Sequence, residues 1–301
     1  MRVWIPDYYE RAGFEALPPG VELGVFPDEP ESAEDLAEVE FAVPPYGRRG
    51  VLEVLPAMRR LRVLQADSAG VEWLVGHVPP GVVLCNARGV YDVATSEWVL
   101  TAILALTKDL PAGFERQRER RWEPWAADEL AGRTVLIVGF GSIGAAVAER
   151  LEHFGVHLIR LARTARSGVL GRADLPRVLP DAHVVVLLTP LTDETRGLVD
   201  AAFLRSMRPG ALLVNAGRGA LVDTDALVES LSEGRIRAAL DVTDPEPLPK
   251  DHPLWRASGA LITPHLAGAS TRAAERATAF IRQQVLRLLD GRPLENVVER
   301  G

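Results

Sequence analysis

Residues 134–151 run Thr-Val-Leu-Ile-Val-Gly-Phe-Gly-Ser-Ile-Gly-Ala-Ala-Val-Ala-Glu-Arg-Leu and decide the fold. An apolar run typical of a buried strand leads through a glycine-rich turn into a helical pattern. In such a unit Gly139 permits the tight turn, Gly141 lets a pyrophosphate approach the backbone, and Gly144 lets the helix pack closely. The helix N-terminus adds N–H donors and a positive dipole. A glycine turn without a ligand is the alternative, but the context favours a dinucleotide site formed by Gly139, Gly141, Ser142, Ile143 and Gly144.

The next predicted strand indicates which dinucleotide binds. At an NAD site an acidic residue about 20 residues beyond the turn binds the ribose 2′-hydroxyl. Ala162 occupies that position here, and Arg163, Thr164 and Arg166 follow it. Guanidinium groups form paired hydrogen bonds with phosphate, so these residues suit a 2′-phosphate. We therefore expect NADP(H) to be preferred, with NAD(H) possible; ordinary surface residues in an arginine-rich chain are the alternative.

Short β-branched runs alternate with helical patterns from end to end. Several runs are almost wholly apolar, as strands are when helices cover both faces of a parallel sheet. Repeated strand–helix units of this kind predict a doubly wound α/β architecture. The predicted strands are Val3–Ile5, Val21–Phe26, Phe41–Val43, Val63–Ala66, Val82–Cys85, Thr134–Val138, His157–Ala162, His183–Leu188, Ala211–Ala216, Ala238–Val242 and Leu261–Thr263.

The strands fall into two sets, which predicts two domains. The later set suits a dinucleotide-binding sheet, and the earlier set a second, smaller sheet. A long apolar helix pattern at Thr95–Leu110 lies between the sets, and another at Thr271–Leu289 closes the chain. We therefore predict a dinucleotide-binding domain over residues 96–267, inserted between the two parts, 1–95 and 268–301, of a substrate domain.

Composition excludes several classes of protein. The chain has 301 residues, of which 47% are apolar and 25% charged, an ordinary globular balance. A net charge of −7 argues against a nucleic-acid partner. The single cysteine rules out an internal disulfide and a cysteine-cluster metal site, and no His/Glu/Asp spacing predicts a metal. No apolar run reaches the ~18 residues of a membrane span, and the start does not resemble a signal peptide, so a cytoplasmic protein without membrane contact is expected.

Three later strands are followed by polar residues that apolar packing does not explain. These are Arg218, Glu246 and His265, each just beyond the carboxyl end of a predicted parallel strand. Ligands bind at that edge of an open α/β sheet, so the three side chains can converge there. Singly, Arg218 could cap a helix, Glu246 could be a solvated acid, and His265 could be structural.

Together the three residues have complementary chemistry. Arginine can hold a carboxylate and polarise a neighbouring carbonyl. Histidine exchanges a proton near neutral pH, and a carboxylate bonded to its ring orients it and stabilises the protonated form. Following a dinucleotide turn, the set Arg218, Glu246 and His265 predicts a site that reduces a 2-keto acid.

With these residues the chain resembles the D-isomer-specific 2-hydroxyacid dehydrogenase family. The family likeness implies two doubly wound parallel-sheet α/β domains, a Rossmann dinucleotide-binding domain inserted into a smaller flavodoxin-like substrate domain. It also implies a homodimer joined through the dinucleotide-binding domain. The matching segments are Gly139-Phe-Gly-Ser-Ile-Gly144, residues 188–197 (Leu-Thr-Pro-Leu-Thr-Asp-Glu-Thr-Arg-Gly), Val214-Asn-Ala-Gly-Arg-Gly219, Asp241-Val-Thr-Asp-Pro-Glu-Pro247 and Thr263-Pro-His265.

The same resemblance implies roles for single residues. Arg218 would bind the substrate and His265 would act as acid/base with Glu246 as its partner. The backbone of Ser68, Ala69 and Gly70 would hold the substrate carboxylate, near an aromatic loop residue, Tyr46. Three positions depart from the usual family pattern: Ala162, Gly217 and Thr243. The residues implied to line the cofactor are Thr189, Pro190, Ala216, Gly217 and Asp241.

The resulting hypothesis is an NADPH-preferring 2-keto acid reductase, similar to glyoxylate/hydroxypyruvate reductases, with a small 2-keto acid as its only predicted partner besides a second copy. Two alternatives stay open. An NAD-linked phosphoglycerate-type dehydrogenase would need an extra cation for the substrate phosphate, which Arg48, Arg49 or Arg88 could supply. A nucleotide-sensing scaffold of the corepressor type would bind the cofactor without turnover.

Overall fold

The computed structural model of the chain describes residues 1–26, 33–48 and 50–299. The chain forms two compact units: unit 1 comprises Met1–Tyr91 and Ser270–Gly301, and unit 2 comprises Asp92–Ala269. Unit 2 is therefore inserted into the sequence of unit 1. The domain boundaries at 95/96 and 267/268 stay sequence predictions; the first falls inside the helix Asp92–Thr107.

Unit 1 contains a five-stranded parallel sheet. The strand order is β2-β1-β3-β4-β5, which is the flavodoxin-like order. All its strand pairs are parallel, as the apolar runs predicted. The strands are β1 Arg2–Ile5, β2 Glu22–Val25, β3 Val39–Ala42, β4 Val63–Gln65 and β5 Val83–Cys85.

Helices bury both faces of this sheet, because consecutive side chains of a strand point to opposite sides. In β1, Trp4 packs into one apolar cluster, whereas Val3 and Ile5 pack into the other. The second cluster includes Ile281 and Val285 of the C-terminal helix. That helix has the predicted bounds, and the Ser270 hydroxyl caps it by accepting the N–H of Ala273. The helices of unit 1 are Ala33–Ala37, Val51–Val54, Glu72–Val75 and Thr271–Leu289.

Unit 2 contains a six-stranded parallel sheet in the order β11-β10-β9-β8-β6-β7. Beyond β7, Leu170 pairs with Leu161 in an isolated parallel bridge. If this bridge is counted as a shortened third strand, the sheet has the strand order of a dinucleotide-binding fold. The predicted architecture is confirmed. The strands are β6 Thr134–Val138, β7 His157–Leu161, β8 Val184–Leu187, β9 Leu212–Asn215, β10 Arg237–Leu240 and β11 Ala260–Ile262.

One helix prediction in unit 2 is wrong at its end. The predicted helix Thr95–Leu110 is two helices, Asp92–Thr107 and Leu110–Arg118. Asp109 has a φ of 52° and separates the two helices, and Pro111 lies in the first turn of the second, where its missing N–H costs nothing. The other helices of unit 2 are Ser142–Leu151, Leu175–Val178, Ala201–Ser206 and Thr224–Ser232.

Short 3₁₀ turns connect several of these elements. They span Arg11–Phe14, Leu55–Ala57, Glu152–Phe154, Arg172–Asp174, Leu179–Asp181, Gly219–Leu221 and Pro253–Arg256.

Within the described residues, no helix has the length and apolar character that crossing a membrane requires.

Candidate active site

The glycine-rich turn joins the end of β6 to the helix that begins at Ser142. Gly139 has a φ of 104°, and a side chain there would collide with the backbone N of Thr189. A Cβ at Gly144 would lie 2.7 Å from the Gly139 carbonyl oxygen. At Gly141, by contrast, a Cβ would meet no described atom within 4 Å. Packing inside the protein therefore explains two of the glycines, whereas the third leaves open space at a helix N-terminus, as a pyrophosphate needs.

Of the two predicted residues at the start of this helix, Ser142 makes a polar contact and Ile143 an apolar one. The Ser142 hydroxyl donates to Asp92 Oδ1 at 3.1 Å. Ile143 is half-buried and packs against the apolar cluster on one face of the sheet. The ten-residue helix directs its first N–H groups toward the turn.

The end of β7 carries the predicted 2′-phosphate residues. Ala162, at the position of the usual acid, donates its N–H to the Leu170 carbonyl. Arg166 Nη2 donates to the Phe140 carbonyl at 2.6 Å, so its guanidinium lies against the glycine-rich turn. Arg163 and Thr164 are exposed, and the Arg163 guanidinium makes no hydrogen bond or ion pair with the described residues.

Further predicted cofactor residues lie beside the same turn. The backbone at Thr189, after β8, packs against Gly139. A Cβ at Gly217, after β9, would lie 3.1 Å from the Thr189 carbonyl oxygen and 2.9 Å from Leu221 Cδ1. The loops after β6, β8 and β9 therefore meet at the carboxyl edge of the sheet. Pro190 and Ala216 lie within these loops and are half-exposed or exposed.

Asp241, directly after β10, is buried and hydrogen-bonded to the turn after β11. Its side chain is 2% exposed, and both carboxylate oxygens accept hydrogen bonds from the turn after β11. Oδ1 accepts from the Thr263 hydroxyl at 2.6 Å and from the Leu266 N–H at 2.9 Å, and Oδ2 accepts from the Ala267 N–H at 2.8 Å. Asp241 thus holds the turn that carries His265, while its contact with a cofactor stays a prediction.

Glu246 and His265 form a hydrogen-bonded pair although they are far apart in sequence. His265 Nδ1 lies 2.6 Å from Glu246 Oε1, and both side chains are partly exposed. His265 has a φ of 52°, and its N–H donates to the Asp241 carbonyl at 2.7 Å, which fixes this unusual backbone position. A carboxylate bound at Nδ1 sets the ring orientation and directs proton exchange to Nε2.

Arg218 begins the turn after β9, the strand that pairs with β10. Its Nη1 donates to the Gly217 carbonyl at 2.8 Å, and its own carbonyl accepts from Asn215 Nδ2 at 2.9 Å. A side chain at the following Gly219 would collide with the Thr243 carbonyl. The backbone of the Arg218 turn therefore packs against the segment that leads to Glu246.

In unit 1, the loop after β4 has its carbonyl groups engaged and its N–H groups available. The Ser68 carbonyl accepts the Ala87 N–H at 2.9 Å, the Ala69 carbonyl accepts Asn86 Nδ2 at 3.1 Å, and the Gly70 carbonyl accepts the Ser68 hydroxyl at 2.5 Å. Among the described residues, the N–H groups of Ser68, Ala69 and Gly70 donate to no acceptor. Successive N–H groups of this kind suit an anion such as a carboxylate.

The other residues of unit 1 that the sequence predicts at the substrate follow the neighbouring strands β3 and β5. Tyr46 is 49% exposed, and its ring meets Trp73 edge-on at 5.4 Å. Among the proposed phosphate cations, Arg48 pairs with Asp7 at 2.8 Å and Arg88 is exposed. Arg49 lies outside the described residues.

Sequence reasoning missed one feature of unit 1. Tyr8, Tyr9 and Tyr91 all donate their hydroxyl groups to the Asp67 carboxylate. The available signal was weak: each residue follows a predicted strand, but aspartate is also common in turns and nothing in the spacing relates the three tyrosines to it.

Comparison with known proteins shows which family this chain is similar to. The sequence model described as "D-isomer specific 2-hydroxyacid dehydrogenase, NAD binding domain" matches residues 100–267. A glyoxylate reductase of Thermofilum pendens is 34% identical over 256 residues, covering 79% of this chain and 75% of that protein. A D-3-phosphoglycerate dehydrogenase of Mycobacterium bovis is 32% identical over 260 residues, covering 83% of this chain but only 49% of that protein.

The solved structures agree with these sequence matches. The NADPH-dependent glyoxylate/hydroxypyruvate reductase of Sinorhizobium meliloti, crystallised with NADP and sulfate, superposes with a TM-score of 0.85. Its sequence is 27% identical, and the superposition covers 99% of this chain and 98% of that one. The likeness therefore extends over both units.

Proposed function

The chain belongs to the D-isomer-specific 2-hydroxyacid dehydrogenase family, and from this premise we propose that it is an NADPH-preferring reductase of small 2-keto acids such as glyoxylate and hydroxypyruvate. The observation that carries the proposal is the 2.6 Å contact between His265 Nδ1 and Glu246 Oε1. It joins a proton-exchanging ring to an orienting carboxylate at the sheet edge where the glycine-rich turn also lies.

The residues of unit 2 fit a nicotinamide dinucleotide. The open space at Gly141 admits a pyrophosphate, and the loops at Thr189 and Gly217 pack beside the same turn. When bound, the dinucleotide supplies the hydride in reduction and accepts it in oxidation. The chain's own residues bind and orient it, from Gly139 at the turn to Arg166 beside Phe140.

The proton is handled by His265. In the reducing direction, protonated His265 donates from Nε2 to the oxygen of the substrate carbonyl as negative charge develops there. Glu246 holds the ring at Nδ1, which leaves Nε2 for the transfer. Arg218 holds the substrate carboxylate and polarises the carbonyl, because its guanidinium can donate two parallel hydrogen bonds.

The preference for NADPH rests on Arg163 and Arg166. Ala162 cannot accept a hydrogen bond from a ribose 2′-hydroxyl through its side chain, so the usual basis for NAD selectivity is missing. The exposed Arg163 guanidinium and the Arg166 guanidinium beside the turn supply positive charge for a 2′-phosphate. The Sinorhizobium relative is described as NADPH-dependent, which supports the same preference here.

Initial rates test the function directly. Oxidation of NADPH and of NADH is measured with glyoxylate, hydroxypyruvate, pyruvate and phosphohydroxypyruvate. We expect fast NADPH oxidation with the first two acids. Turnover with NADH alone would reject the cofactor preference, and no turnover with any pair, despite tight cofactor binding, would favour the scaffold alternative.

Phosphohydroxypyruvate tests the second candidate function. That candidate is an NAD-linked phosphoglycerate-type dehydrogenase. It is considered because the chain aligns with a D-3-phosphoglycerate dehydrogenase over 83% of its own length, although it spans only about half of that protein. Selective turnover of the phosphorylated acid with NADH would replace the first proposal by this one.

We further propose that the enzyme forms a homodimer through unit 2. Aromatic side chains are exposed along Leu110–Trp125: Trp122 is 98% exposed and Phe114 57%. Exposed apolar groups in one region mark interaction surfaces. Light scattering after size exclusion should give twice the chain mass for the wild type, and Trp122→Ser with Phe114→Ser should shift it toward the monomer.

A further inference from the structure

The carboxylate of Asp67 is surrounded by phenolic hydroxyl groups. Tyr9 donates to Oδ1 at 2.5 Å and Tyr91 donates to the same oxygen at 2.7 Å. Tyr8 donates to Oδ2 at 2.8 Å, and the Tyr8 oxygen accepts the backbone N–H of Tyr46. We refer to Tyr8, Tyr9, Asp67 and Tyr91 as the tyrosine–aspartate cluster.

The cluster lies at the carboxyl edge of the sheet of unit 1. Tyr8 and Tyr9 follow β1, Asp67 follows β4, and Tyr91 lies in the segment after β5. This edge is where ligands bind in open α/β sheets. The cluster therefore connects several loops at the edge where a substrate is expected.

The Asp67 carboxylate is partly buried, and this partial loss of solvent has a cost. Loss of solvent raises its pKa, while the three hydroxyl donors oppose that shift. The same burial, together with the nearby Asp67 charge, raises the pKa of Tyr9 and Tyr91, so both keep the protons that they donate. An apolar side chain could fill such a space without this desolvation cost. Filling space alone therefore does not account for the arrangement.

The contacts of Asp67 continue into the loop that follows it. Tyr91 donates to the Asp67 carbonyl at 3.1 Å as well as to its carboxylate. The next carbonyl groups, of Ser68 and Ala69, are held by Ala87 and Asn86. The carbonyl groups of the loop are fixed in this way, whereas its N–H groups at Ser68–Gly70 donate to no acceptor among the described residues.

We propose that Asp67 is a positioning residue, which with Tyr8, Tyr9 and Tyr91 holds the N–H groups of Ser68–Gly70 in the arrangement that binds the carboxylate of a 2-keto acid. This inference rests on the proposed function. It assigns a part in substrate affinity to side chains that do not themselves touch substrate. Removing the cluster should therefore weaken binding of the keto acid without changing binding of the dinucleotide, whose glycine-rich turn belongs to unit 2.

The test compares Asp67→Ala, Asp67→Asn and Tyr91→Phe with a matched control, Asp35→Ala. Asp35 is also an aspartate of unit 1 and pairs with Arg2 at 3.1 Å, at the start of β1. For each variant, KM and kcat for glyoxylate, the Kd of NADPH and the melting temperature are measured.

We expect Asp67→Ala and Tyr91→Phe to raise KM for glyoxylate about tenfold or more, the effect of losing a hydrogen bond to a charged group. Asp67→Asn should lie between Asp67→Ala and the wild type, because its amide keeps one acceptor oxygen. The Kd of NADPH should stay within about twofold in every folded variant, and kcat should change less than KM.

A merely structural role predicts a different result. The melting temperature and the active fraction would fall while the KM of the remaining active enzyme stayed at the wild-type value, and that result would overturn the inference. If Asp67→Ala does not fold, Tyr8→Phe decides, because it removes one hydrogen bond from a side chain that is 54% exposed. Absence of turnover in the wild type would instead reject the proposed function, so the two failures are distinguishable.

Discussion

His265 Nδ1 and Glu246 Oε1 lie 2.6 Å apart, although the residues follow different strands of the sheet in unit 2. Both side chains are partly open to solvent, so the ring can exchange a proton with a bound molecule. Because Glu246 contacts Nδ1, Nε2 is the ring nitrogen left for proton transfer. Substitutions should therefore have different effects at the two residues: loss of proton transfer at His265 and loss of ring orientation at Glu246.

Replacing His265 should remove proton transfer. For His265→Gln we expect kcat to fall by ~10²–10⁴-fold with a smaller change in KM, the usual loss for a general acid. Glu246→Gln should lower kcat by less than His265→Gln does, because the ring keeps its proton-exchanging Nε2 and loses only the carboxylate that orients it. Steady-state rates check both, and kcat near the wild-type value in His265→Gln would refute the assigned role.

Substitution of the glycines of the turn should affect different properties: stability at Gly144 and NADPH binding at Gly141. Gly144→Ala places a Cβ 2.7 Å from the Gly139 carbonyl oxygen, so it should destabilise the fold by about 1–3 kcal/mol. Gly141→Ala meets open space and has a negative φ, so it should leave the melting temperature nearly unchanged while weakening NADPH binding. Thermal melts and NADPH titration separate the two. Equal loss of stability in both variants would contradict this assignment.

Asp241 should matter for both stability and turnover. Asp241→Asn presents an amide NH₂ or a single oxygen where two acceptors are needed, so one buried donor loses its partner. We expect a loss of about 1–3 kcal/mol in the free energy of unfolding. Since the lost bonds hold the His265 turn, kcat should also fall. Denaturant unfolding and rates are compared with Asp251→Asn, a change at an exposed position of the same unit, which should behave as the wild type.

Arg163 should determine part of the cofactor preference. Its guanidinium is exposed and makes no hydrogen bond with the described residues, so its removal should not cost stability. Arg163→Ala should raise KM for NADPH by about tenfold, as expected for losing one charge-assisted phosphate contact, and leave KM for NADH unchanged. Arg177→Ala, which removes an exposed arginine paired with Asp174, is the matched control. An equal rise for both dinucleotides would sink the 2′-phosphate explanation.

His183 predicts how stability depends on pH. Its Nδ1 accepts the Thr134 N–H at 3.1 Å, and burial, with the charges of Arg208 and Arg133, lowers its pKa below 6.5. The unfolded chain then binds the proton more readily than the folded chain, so the stabilising contribution is complete above pH 6.5 and is lost as pH falls through the lowered pKa. Thermal melts from about pH 7.5 to 5 should show a smaller acid-induced loss in His183→Asn than in the wild type.

Local sequence patterns predicted much of the fold. Apolar β-branched runs located every strand of both sheets, because a strand covered on both faces has few polar positions wherever it lies. The helix after Thr95 was predicted to end at Leu110 and ends at Thr107, since a left-handed residue at Asp109 leaves no mark in hydrophobic periodicity.

The sequence by itself determined that polar groups follow the strand ends and that a glycine-rich turn opens a helix, because these are properties of adjacent residues. The family resemblance had already implied the pairing of His265 with Glu246, which lie 2.6 Å apart. Only the tertiary structure decided the other contacts: the order of the strands places Asp241 against the His265 turn and assembles three tyrosines around Asp67. The physical reason is that a hydrogen bond requires its two atoms within about 3.5 Å, and parallel strands bring distant segments to that distance at one edge of the sheet.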